Sequence, residues 1–172
     1  MACEQPLPVK EPIPLTEDST FLTGTFFLAR HAEQTDTCLP DYGFKLSGDL
    51  YRFLKDSGIQ KIYFTPYTTG MRDTPDSLRE YLKMDTATYK ADSTGEGLIY
   101  EITRRDDWGK RLLIIGDGYA IVPMLKSLKA KPPADSVNYS DLFIVRKFRD
   151  SVKVKKFIYS NIPCMSAKAT LK

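Results

Sequence analysis

The chain has 172 residues, 42% of them hydrophobic, which suffices for one ordinary domain whose apolar core needs neither disulfides nor metals. Its 25 basic and 22 acidic residues leave a net charge of +3, too balanced for a surface that binds nucleic acid as a whole, although a local anion site stays open. Cys3, Cys38 and Cys164 lack metal-ligand spacing, and no apolar run is long enough to span a bilayer, so neither a metal, nor a cofactor, nor a membrane span is expected.

Residues 1–20 carry Pro6, Pro8, Pro12 and Pro14 among charged side chains and read as an extended linker ahead of one domain over 21–165, with a short tail at 166–172. Met1-Ala2-Cys3-Glu4-Gln5 before that spacer is similar to the start of a mature bacterial lipoprotein, which would tie the chain to the cell envelope by a lipid on Cys3. The alternative is the ordinary N-terminus of a soluble protein.

From Thr25 onward, short apolar runs alternate with helical periods, as βαβ units of a largely parallel sheet do. Thr25 to Ala29 is a continuous apolar strand ending at Arg30-His31. Ser47 can cap a helix with Leu50, Phe53 and Leu54 on one face and Gly58 beyond its end. A second strand covers Lys61 to Thr65, and Thr74-Pro75 starts a helix with Leu78, Tyr81 and Leu82 at core spacing. A short helical segment is expected between residues 84 and 96, followed by a capping box, Ser93-x-x-Glu96, that opens a helix with Leu98 and Ile102 one turn apart. Arg111 to Ile115 is a buried strand, Gly116-Asp117-Gly118 a tight turn, and Ala120, Met124, Leu125 and Leu128 a helical stripe. Asp141 to Phe148 and Ser151 to Tyr159 are β-rich and predict an antiparallel hairpin. The expected class is a three-layer α/β/α domain.

In such a sheet, ligands collect outside the carboxyl ends of the strands, where helix N-termini expose N–H groups. Two ends stand out, Leu28-Ala29-Arg30-His31-Ala32-Glu33 and Ile114-Ile115-Gly116-Asp117-Gly118. A guanidinium grips two phosphate oxygens by its fork while a neutral imidazole nitrogen attacks phosphorus, so an Arg-His pair there suits phosphate chemistry; the dipeptide alone is read first as a surface pair. The cations of the tail, Arg146, Lys147, Arg149, Lys153, Lys155 and Lys156, are read as a solvated, charge-protected edge in preference to a nucleic-acid surface.

The order strand, Arg30-His31-Ala32-Glu33, then Lys45-Leu46-Ser47 opening a helix, then a strand ending in Thr65-Pro66-Tyr67, resembles the histidine phosphatase superfamily, the phosphoglycerate-mutase-like fold. The likeness continues through Asp73-Thr74-Pro75 and the Gly-x-Gly turn, over roughly residues 25 to 160. It implies that His31 is the phosphorylated nucleophile, that Arg30 is the first phosphate clamp, and that no metal or cofactor takes part. The second clamp of the family falls just after the Ser/Thr-Pro turn; Arg72 is displaced from it by two or three positions, and either reaches the pocket or flanks a helix at the surface. Gly118 belongs to the turn that would face the phosphate.

Asp117 occupies the place of the family's second histidine, and His31 is the only histidine in the chain. A carboxylate about 4 Å from a phosphate charge is repelled by roughly 4 kcal/mol at an effective dielectric near 20, and losing one preorganised donor costs a further factor of about 10² to 10³. Protonation of Asp117, or its pairing with an arginine, would relieve that repulsion. Among Glu33, Glu96 and Glu101 as proton donors, Glu33 has the best position. The resemblance thus implies a weak phosphomonoesterase or an inactive binder, with a phosphorylated small molecule or phosphoprotein as partner.

Overall fold

The computed structural model describes residues 22–30, 42–66, 73–132 and 136–162, with backbone alone for 73–77. His31, Glu33 and Arg72 lie outside the described residues, as do the three cysteines, the N-terminal linker and the C-terminal tail. Among the described residues six strands form one sheet: β1 (Gly24–Arg30), β2 (Lys61–Phe64), β3 (Asp85–Thr88), β4 (Arg111–Gly116), β5 (Asp141–Lys147) and β6 (Val152–Ile158). The helices among them are α1 (Tyr42–Leu54), α2 (Asp73–Leu82), α3 (Glu96–Arg104) and α4 (Gly118–Ser127). The spatial order is β3-β2-β4-β1-β5-β6. The first four strands of that order run parallel, whereas β5 is antiparallel to β1 and forms the expected hairpin with β6.

Successive residues of β1 point to opposite faces, and each face is covered. Phe26 and Leu28 pack with Leu98, Ile102, Ala120, Ile121, Met124 and Leu125 of α3 and α4. Phe27 and Ala29 pack with Leu50, Leu54 and Leu78 of α1 and α2. Three layers result, and the continuous apolar runs of β1 and β4 are explained by burial on both sides.

Three local expectations need correction. α1 begins at Tyr42, so Ser47 is not its cap; its hydroxyl donates back to the Gly43 carbonyl at 2.9 Å inside the helix. The buried stripe Tyr42, Leu46, Leu50, Leu54 recurs every four residues and carries the helix further toward the N-terminus, while Phe53 stands off it, exposed. The N-cap of α3 is Gly95, not Ser93, and the carboxylate that gathers the amides around it is that of Asp92, three residues earlier: its Oδ1 accepts from the Thr94 and Gly95 amides at 2.8 and 2.6 Å, and its Oδ2 from the Gly97 amide at 2.7 Å. Finally, residues 85–88 form an edge strand instead of a helix. β-branched Thr86 and Thr88 on either side of the buried Ala87 suit an edge strand pairing in parallel with Lys61 to Phe64.

Candidate phosphate site

β1 and β4 are neighbours, and Arg30 lies beside Gly116. α1, the next described element after β1, covers one face of the sheet, and α4, which follows β4, covers the other. Where the helices after two adjacent parallel strands lie on opposite faces, the carboxyl ends of those strands form the usual ligand crevice of an open α/β sheet. Arg30 and Asp117-Gly118 therefore meet at one crevice.

Arg30 is half-buried and held from the side of β5. Its Nη1 donates to the Val137 carbonyl at 2.8 Å, and its Cζ lies 4.0 Å from the centre of the Tyr139 ring. Its Nε is buried and has no hydrogen-bond partner among the described residues. A buried, unmade hydrogen bond on a cation is costly unless a ligand supplies the acceptor. Across the crevice, a Cβ on Gly118 would stand 2.8 Å from Arg30 Cζ, so only glycine lets the guanidinium lie against the first turn of α4. The leading N–H groups of that helix have no acceptor within it and carry the positive end of its dipole.

Asp117 caps α4 through its carbonyl, which accepts from the Ala120 amide at 2.9 Å, and is only 8% exposed. Its side chain makes no cap hydrogen bond. Burial, then a hydrogen bond from its hydroxyl to Asp117, hold the Tyr119 phenol above its ordinary value. Tyr89 lies beneath the turn, its hydroxyl donating to the Ile115 carbonyl at 3.1 Å; burial and then the Asp117 charge push its phenol up. Gly116 makes room for it, because a Cβ there would meet the Tyr89 hydroxyl at 2.7 Å. On the other wall, Tyr42 and Tyr139 pack edge to face at 6.1 Å, and the Tyr159 hydroxyl fixes the Tyr139 carbonyl at 2.6 Å.

Arg30, Asp117 and Gly118 thus lie together at the strand ends, beside tyrosines that no motif marked. Tyr42, Tyr139 and Tyr159 converge from three distant segments, so only tertiary packing reveals them. Glu101 is not a candidate acid in this geometry, being engaged by Arg104 at 2.7 Å and Arg105 at 3.1 Å. Burial raises its carboxyl, but these two arginines outweigh that and hold it below its usual range. Glu96 is exposed in the first turn of α3. Among the described residues no three His, Cys, Asp or Glu side chains form a metal-binding group, and no helix is long and apolar enough to cross a membrane.

No family model and no curated protein sequence matches the chain. Solved structures do. The assigned phosphohistidine phosphatase SixA of Agrobacterium tumefaciens superposes with a TM-score of 0.58 at 16% identity, over 80% of this chain and 99% of that one. A mycobacterial glucosyl-3-phosphoglycerate phosphatase, solved with VO3, gives a TM-score of 0.58 at 13% identity, over 83% of this chain and 99% of its own. The assigned SixA of Nakamurella multipartita gives 0.50 at 12% identity, over 72% and 84%. At such identities the likeness shows the fold alone, an α/β architecture with a six-stranded mixed sheet that this chain shares with these phosphatases.

Proposed function

We propose that this chain is a histidine-phosphatase-like protein that holds a phosphoryl group at Arg30 and His31 and acts as an impaired phosphomonoesterase through a phosphohistidine. In that reaction a ring nitrogen of His31 bonds to phosphorus as the ester oxygen leaves, taking a proton from Glu33, and water then cleaves the phosphohistidine to release phosphate. Arg30, the α4 N-terminus at Gly118, and Arg72 as second clamp would neutralise the equatorial oxygens. The observation that carries this reading is the Arg30 guanidinium, packed against Gly118 at the strand end with a buried Nε that lacks an acceptor. Two fold relatives are assigned as phosphohistidine phosphatases, and a third was solved with the phosphate mimic VO3, which supports a phosphorylated protein or small molecule as the ligand.

The second reading is a pseudophosphatase that binds a phosphorylated ligand or protein without turning it over. It is favoured by Asp117, a nearly buried carboxylate where the family has a histidine. An assay against a panel of phosphomonoesters separates the two. Turnover by the wild type that His31→Ala abolishes supports the enzyme, and turnover gained only in Asp117→His supports the binder. If vanadate neither binds nor raises the melting temperature, the pocket itself is refuted.

A further inference from the structure

Lys147 ends β5 at the far end of the sheet from Arg30. Its register partners are Gly24 of β1 and Val152 of β6, so some six residues of β1, about 20 Å at roughly 3.3 Å per residue, separate it from Arg30. It is 9% exposed and makes no hydrogen bond or ion pair among the described residues. Its stem is buried, while its Nζ is not among the buried atoms that lack a partner and so reaches the surface at the end of the sheet. There it meets other cations. Lys147, Lys129 and Arg149 line one hollow of about 360 Å³, together with Asp150, Ser151 and Val152. Three cations face one carboxylate, an excess of two positive charges. Burial, and next the Lys129 charge, push the Lys147 ammonium down.

Lys129 is present at a backbone cost. It follows α4 in the left-handed region, φ +63, where its amide donates to the Lys126 carbonyl at 2.9 Å and the Ala130 amide to the Leu125 carbonyl at 2.9 Å. That is the helix-ending motif in which glycine is the favoured residue. Lysine there places a third positive charge at the hollow.

We propose that this hollow is a second anion site, selective for a tetrahedral dianion of the phosphate or phosphate-monoester class and separate from the crevice at Arg30. Its ligand pairs with the Lys147 ammonium in the hollow, contacts Lys129 and Arg149, and accepts from the Ser151 hydroxyl. The excess of two charges matches a dianion, and the volume leaves room for an organic group on a phosphate. One small substrate cannot fill both places, so the site serves an effector or a second phosphate on a larger partner.

The test is calorimetric titration of inorganic phosphate, and separately of sulfate, into the full chain carrying Arg30→Met, which silences the crevice. One site remains in that background, and adding Lys147→Met or Lys129→Gly weakens it at least tenfold. Lys129→Gly guards against misfolding, because glycine suits φ +63 and that variant melts no lower than its parent. If the Arg30→Met protein binds neither anion, or binds both equally well after Lys129→Gly, the proposal is overturned. Failure of the crevice reads out differently, as wild-type vanadate binding that Arg30→Met leaves unchanged.

Discussion

At Gly118 a hydrogen atom in place of a methyl lets the Arg30 guanidinium lie against the first turn of α4. Alanine there brings its Cβ against Arg30 Cζ, and the flexible guanidinium, not the backbone, has to move. Gly118→Ala is therefore expected to shift the melting temperature by only a few degrees while weakening vanadate binding at least tenfold, read by titration; unchanged affinity would separate Arg30 from the anion. At this scale the sequence was informative where a turn follows an apolar run directly, as in Gly116-Asp117-Gly118 after β4. It was silent about the Tyr139 ring under Arg30 and the Val137 carbonyl on its Nη1, since contacts made 107 and 109 positions away carry no local signature.

Strands were read more accurately than helix starts, for a physical reason. β1, β4 and the hairpin are continuous or alternating runs whose burial dictates them, whereas the start of a helix depends on which side chains find partners. Ser47 has the chemistry of a cap and so does Ser93, yet tertiary packing of Tyr42 and the four bonds accepted by Asp92 overrode both. At the opposite ends of β2 and β4, the loop after α3 delivers Asp107, 1% exposed, to Lys110 at 2.6 Å, Lys61 at 3.0 Å and the Tyr63 hydroxyl. Burial raises the Asp107 carboxyl, but hydrogen bonds from Lys110, Tyr63 and Lys61 outweigh it and leave the group below its usual value. A carboxyl depressed in the folded state stabilises the fold above its unfolded value, near pH 4, and that stability is lost as pH falls through the folded value. Asp107→Asn should cost about 3 kcal/mol at pH 7. It should also flatten the acid limb below about pH 4 in urea melts at stepped pH, whereas a parallel loss at every pH would contradict the linkage.

Across the whole molecule, β3 and β6 are the sheet's two edges, and β6 is the longer. On the face shared with α1 and α2, Arg146, Lys153 and Lys155 surround Ile144 and Phe157 in an open hollow of about 330 Å³. Charges on an exposed strand keep it from pairing with another chain. Lys153→Val with Lys155→Val should raise concentration-dependent dimerisation or aggregation above that of the wild type, seen by light scattering; a variant that scatters like the wild type would show that the lysines are not what protects the edge. The α/β class, the parallel strands and the antiparallel hairpin were all legible in the alternation of apolar runs, but the strand order was not, because it follows from which crossover lies on which face. That order has a further result. Because β5 runs against β1, what arrives next to Arg30 is the loop entering β5, bringing Val137 and Tyr139, and not a helix N-terminus like the one on the β4 side. The guanidinium is gripped on one flank by the rigid frame and on the other by a connection that no ladder constrains, so its aim can be retuned by changes at residues 137–139 while the sheet that carries it stays intact.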